Sequence, residues 1–228
     1  MKKLLIFVAL LALTACATTT NTRLAAHLET PKAGTKILVI KPAVRLALMT
    51  AAGLSEARAD WSAQGEENLQ IALETQLRGA NHPIEVIDPD QSMGGREGQL
   101  LRLHQAVGAT IATYNYSGMT LPTKAKTFDW TLGDGVKILG EAHGADYALF
   151  TSANGTYASA GRIVAMVGAA ALGFGIPLGS QYVVTSLVDL HTGQVVWFNM
   201  SIAGPNDDMR KANGAQTLIT TLMAKAPL

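Results

Sequence analysis

The sequence predicts an α/β (α+β) fold: a mixed sheet of about five strands with a C-terminal hairpin, flanked by about four helices. Three patterns carry this expectation. β-rich runs stand at 36–41, 84–87, 145–151 and 181–200. Apolar residues spaced for one helix face fill the stretches between them. Near the C-terminus two β-rich runs flank a short turn containing Gly193, the pattern of a hairpin.

Taken in chain order, Lys2 and Lys3 followed by the apolar run Leu4 to Leu13 read as a signal peptide spanning 1–15. The run is too short to cross a bilayer, which takes roughly 20 apolar residues. Leu13-Thr14-Ala15-Cys16 resembles a bacterial lipobox, which implies cleavage before Cys16 and lipid on its sulfur. Cys16 is the sole cysteine, so it has no internal disulfide partner, and acylation removes a thiol that would be a liability in an oxidising compartment. Ala17 follows it, where an aspartate would resemble an inner-membrane retention signal; the expected location is therefore the periplasmic face of the outer membrane, with membrane lipid as a partner through Cys16. Residues 16–35, Thr- and Ala-rich, read as the lipidated cysteine and a flexible tether, and 36–228 as a single periplasmic domain.

Within that domain, Lys36 to Lys41 is a continuous apolar-centred run closed by Pro42, as expected of a central strand buried on both faces. Arg45 to Ala57 fits either an extended segment or a helix. Leu69, Leu73 and Leu77 recur every four residues and predict a helix over 61–78 with Gly79 as its cap. Ile84 to Ile87 is a short strand, and Leu100, Leu103, Val107 and Ile111 mark a second helix after Gly94-Gly95. A third helix is expected over 131–143, capped by Gly144, with a strand from Ala145 to Thr151. In the hairpin, Val196, Phe198, Met200 and Ile202 should share one face. Asn206-Asp207-Asp208 should open the last helix, where acidic residues favour the N-terminal dipole.

Charge and motif content exclude several functions. Lys and Arg total 18 against 17 Asp and Glu, scattered along the chain, so the basic footprint of a nucleic-acid binder is missing. The five histidines lack metal-ligand spacing, and no P-loop, Rossmann fingerprint or nucleophile elbow occurs. The expectation is no metal, no cofactor, no nucleotide and no catalysis; an unrecognised periplasmic enzyme is a lesser alternative.

Gly144-Ala145-Asp146-Tyr147-Ala148-Leu149 and the hairpin Ser186-Leu187-Val188-Asp189-Leu190-His191-Thr192-Gly193-Gln194-Val195-Val196-Trp197 resemble the curli-secretion-channel superfamily of lipoproteins, which also contains activators of penicillin-binding proteins. The resemblance implies an envelope lipoprotein that acts as an assembly factor or regulator of an envelope complex, or alternatively a ring-forming export or pore subunit. The residues themselves have structural explanations: Gly193 supplies a positive φ, Asp189 and Thr192 bond local amides, and Trp197 packs on the sheet.

Two places could form an interaction surface for a protein partner or a second copy. Phe128 and Trp130 are aromatics beside a basic pair, although a hydrophobic staple on the third helix is the favoured explanation. The second is the stretch between Arg162 and Asp189, which has no charge. As a helix it places Ala165, Ala169 and Gly173 on one stripe, and burial in the monomer, a protein interface and membrane contact are its three readings.

Overall fold

The computed structural model describes residues 19–26, 30–92, 94–117, 119, 121–124, 126–204 and 206–228. Strands are β1 (Thr19–Leu24), β2 (Ile37–Met49), β3 (Ser55–Ala57), β4 (Ile84–Ile87), β5 (Tyr147–Ala158), β6 (Gln181–Asp189) and β7 (Val195–Ile202). Helices are α1 (Ala59–Gly79), α2 (Gly95–Tyr116), α3 (Lys137–His143), α4 (Ala160–Ala171) and α5 (Ala212–Met223). The fold is the expected α/β class, with more strands than the periodicity indicated.

One sheet runs β1-β7-β6-β5-β2-β3, and β4 also pairs β2. The first half of β2 lies between β4 and β5, parallel to both, so Ile37, Leu38 and Val39 are fully buried. That is why the sequence there is continuously apolar rather than alternating. On one sheet face α1 and α5 pack through Leu69, Leu73, Leu77, Leu218, Ile219 and Leu222 against Val39, Leu149, Leu187 and Trp197. On the other, Leu100, Leu101 and Ile111 of α2 and Leu139 of α3 cover Leu38, Ile40, Phe150, Val188 and Phe198. Two buried amides tie the α1/α5 layer together: Asn68 donates to the Met209 carbonyl at 3.1 Å and Asn199 to the Leu222 carbonyl at 2.6 Å.

Several expectations are corrected. Pro42 does not end β2; the pairing with β5 shifts register between Ile40 and Ala43. On the opposite edge β4 stops at Ile40 and β3 starts at Ala47, so the proline's missing N–H falls where no ladder needs it. Residues 19–24, assigned to the flexible tether, pair antiparallel with β7; a Thr-rich segment has the β-propensity for an edge strand. The third helix starts at Lys137, not Thr131, because Thr131 forms a β-bridge with Gln194 and Asp134–Val136 is a 3₁₀ turn. The left-handed residue that closes α1 is Asn81, φ 62°, two positions past Gly79. Asp207 and Asp208 precede α5: Asp207 accepts from the Gly204 amide and Asp208 from Arg210. Finally, a bulge between Leu187 and Val188 pairs Leu187 with Trp197 and Val188 with Val195. Val196 therefore joins the core under α1, while Phe198 joins the opposite one.

Candidate functional site

Cys16 lies outside the described residues. The chain that follows it enters the fold at a definite place. Thr19 pairs Ile202, Ile202 pairs Tyr182, Tyr182 pairs Asn154 and Asn154 pairs Arg45, one row across five strands. Beyond that row β5 continues to Ala158, the Ser159 amide donates to the Met49 carbonyl, and α4 begins. The segment returns to the same end, where the Thr156 amide donates to the Ser180 carbonyl. The start of β1 and the whole excursion 159–180 thus share one end of the sheet.

α4 is locally well specified. Ser159 caps its first turn by accepting from the Arg162 amide at 3.2 Å. At the other end the Gly173 amide donates to the Ala170 carbonyl and the Phe174 amide to the Ala169 carbonyl. This is a Schellman closure around Gly173, whose φ of 83° suits glycine. Arg162 is buried; its Nε donates to the Pro177 carbonyl at 2.7 Å and its guanidinium reaches the Thr50 carbonyl at 3.5 Å. It pins the helix to both neighbouring loops.

Burial of this segment inside the monomer is not what the fold does. Val164 is 72% exposed, Val167 61%, Leu172 76% and Phe174 67%; Ile163 and Leu178 are exposed as well. Of the proposed small-residue stripe, Ala165 and Ala169 are half-buried and Gly173 is exposed at the cap. The exposed surface is carried by the large side chains on the other side of the helix. Leu54, Tyr182 and Ile202 extend it at the same end, whereas the exposed Leu24, Ile71 and Leu103 belong to β1, α1 and α2.

Phe128 and Trp130 are half-buried against the core under α2 and α3. The Trp130 carbonyl accepts from the Val195 amide at 2.9 Å, and Lys124 lies 5.5 Å from its ring while pairing with Asp129 at 2.9 Å. Trp130 is thus fastened to the hairpin, and both aromatics also line a surface pocket with Arg23, Tyr114 and Lys126. Lys124 holds the Asp129 carboxyl below the usual carboxylate range.

Sequence reading missed a cleft of about 260 Å³ between α2 and the sheet. His104 of α2 stacks on Phe150, ring centroids 3.6 Å apart, and its Nε2 shares a 2.6 Å hydrogen bond with the Ser186 hydroxyl. Burial pushes the imidazole down to a pKa of about 3, so it is neutral at physiological pH. Among the described residues no carboxylate, the group that usually orients a catalytic histidine, lines the cleft. The separation of 82 residues and the absence of any local motif hid it. Elsewhere His191 pairs with Asp146 at 3.0 Å on the exposed hairpin turn. No group of three or more His, Cys, Asp or Glu among the described residues is placed to hold a metal.

No family profile and no curated protein sequence matches the chain. Among solved structures it is similar to a PelC dodecamer subunit from Paraburkholderia phytofirmans, at 15% identity over 91% of this chain and 96% of that one, TM-score 0.42. It is also similar to lipoprotein GNA1162 from Neisseria meningitidis, at 13% identity over 84% and 96%, TM-score 0.35. The C-terminal domain of LpoB from Salmonella enterica aligns at 14% identity over 76% and 85%, TM-score 0.30. Likeness at this level assigns no function.

Proposed function

We propose that this chain is a lipoprotein anchored through Cys16 on the periplasmic face of the outer membrane. In this reading it seats its apolar end on that bilayer and acts without catalysis, by docking on an envelope protein complex as an assembly factor or regulator. The observation that carries the reading is the coincidence at one end of the sheet: the strand nearest Cys16 starts where Val164, Val167, Leu172 and Phe174 are exposed. A contiguous apolar patch of large side chains marks a binding surface, and the surface nearest a lipidated residue meets lipid first. No helix among the described residues is long and apolar enough to cross a membrane, so the contact is a shallow one. The uncatalytic part of the reading is supported by the chemistry of the His104–Ser186 pair, and the docking part by the resemblance of the GADY strand and hairpin to envelope lipoproteins.

Because Cys16 is the sole cysteine and its sulfur carries the lipid in this reading, an introduced cysteine takes a fluorophore selectively. With the lipidated protein in vesicles, an environment-sensitive dye on Val167→Cys should be quenched by nitroxide-bearing lipid, and the same dye on Ile71→Cys should not. Equal quenching at both positions sinks the seat. Cys16→Ala should abolish incorporation of labelled palmitate; incorporation that persists sinks the anchor.

A further inference from the structure

The cleft under α2 is floored by three successive rows of the sheet. The innermost is Ile40, Phe150, Ser186 and Phe198, the next Ala43, Ser152 and Val184, and the outermost Arg45, Asn154 and Tyr182. Rows on one face lie two residues apart, so the three span about 13 Å along the strands. The inner part is apolar and roofed by α2, where Gly108 and Ala112 leave room that larger side chains would fill.

The outer row is different in kind. A guanidinium, a carboxamide and a phenol stand side by side on adjacent strands, about 4.8 Å apart by sheet spacing, and all three are hydrogen-bond donors. Among the described residues Arg45 has no ion pair, and the Asn154 and Tyr182 side chains have no hydrogen-bond partner. The other cation of the cleft, Lys41, is already neutralised by Glu66 at 2.7 Å and Asp88 at 3.2 Å. With no Asp or Glu among the lining residues, the mouth carries one uncompensated positive charge over an apolar interior.

We propose that this cleft binds a compact organic anion, its apolar body lying on Phe150 and Phe198 and its carboxylate meeting the Arg45–Asn154–Tyr182 row. Guanidinium geometry suits a carboxylate because two parallel N–H bonds reach its two oxygens. The inner end suits an apolar body because Ile40, Phe150 and Phe198 line it and His104 and Ser186 there already bond each other. At about 260 Å³ the cleft lies just below the usual range of ligand pockets, about 300 to 1,000 Å³, so the body is no larger than one or two fused rings. The mouth row lies at the end of the sheet that carries the apolar patch, and Tyr182 belongs to both, whereas among the described residues none of α4 lines the cleft.

The probe is 2-naphthoate, titrated into the full lipidated protein in nanodiscs, with empty nanodiscs subtracted and the neutral 2-naphthalenemethanol as comparator. Naphthoate should bind at least tenfold tighter than the alcohol and shift the ring resonances of His104. Arg45→Gln, an exposed substitution, should leave the melting temperature unchanged and erase the tenfold preference. The proposal is overturned by any of three results: no binding of naphthoate, equal binding of acid and alcohol, or binding that leaves the His104 ring unshifted. Retention of the preference in Arg45→Gln overturns the role of the donor row.

Discussion

Gly193 holds the hairpin turn at φ 75°, and a Cβ built there would lie 2.3 Å from the Gly133 carbonyl oxygen. Gly193→Val therefore meets both an unfavourable backbone conformation and an immovable neighbour, and should cost about 3 kcal/mol or more, read as a lower melting temperature. The turn was legible because its requirements are local: Asp189 accepts from the His191 and Thr192 amides within three residues. His104 was not, since its partners Phe150 and Ser186 come from β5 and β6, far along the chain from its helix. Its depressed pKa fixes a pH dependence. The unfolded imidazole protonates near its ordinary 6.5 and the folded one near 3, so the unfolded state binds more protons between those values. Stability is full above pH 6.5 and falls as pH drops through that window, by about 2 kcal/mol at pH 5. The carboxylates held low by partners, Glu85 by Lys36 and His143 and Asp88 by the Asp90 amide and Lys41, lose their contribution only below their unfolded values of about 4. Denaturant melts at pH 7 and pH 5 should thus converge in His104→Gln relative to wild type; an unchanged difference refutes the assignment.

At the scale of elements, α4 depends on one side chain. Arg162 is the buried group that joins the helix to the Pro177 and Thr50 carbonyls, and Arg162→Met removes both bonds while leaving the two cores intact. The expected outcome is faster amide exchange and proteolysis confined to 159–180, with the global melt little changed; protection equal to wild type would show that the helix is held otherwise. Pattern reading placed β2, α1, β5 and the hairpin because their burial shows as continuous or periodic apolar runs. It left 163–178 open between core, interface and membrane for a physical reason: an apolar stretch looks the same in sequence whether its partner is the core or lies outside the molecule. The extension of β2 past Pro42 and the face switch at Val196 were hidden because bulges are set by neighbouring strands rather than by the residue itself.

For the whole molecule, β1 closes an edge. Deleting residues 19–24 would bare the β7 backbone from Trp197 to Ile202, a template for pairing with another chain. Light scattering should show concentration-dependent aggregation of that deletion in a chain that still melts cooperatively; a monodisperse product would mean the edge is protected by other means. The same strand sets a length. Three residues of backbone from position 16 to 19 reach at most about 11 Å, and from Tyr182 to Asp189 the sheet rises about 24 Å further. With Cys16 lipidated as proposed, the turn at Gly193 stands no more than roughly 35 Å from the lipid. In that reading its search for a partner is confined to two dimensions, and a partner has to present its binding face within that reach.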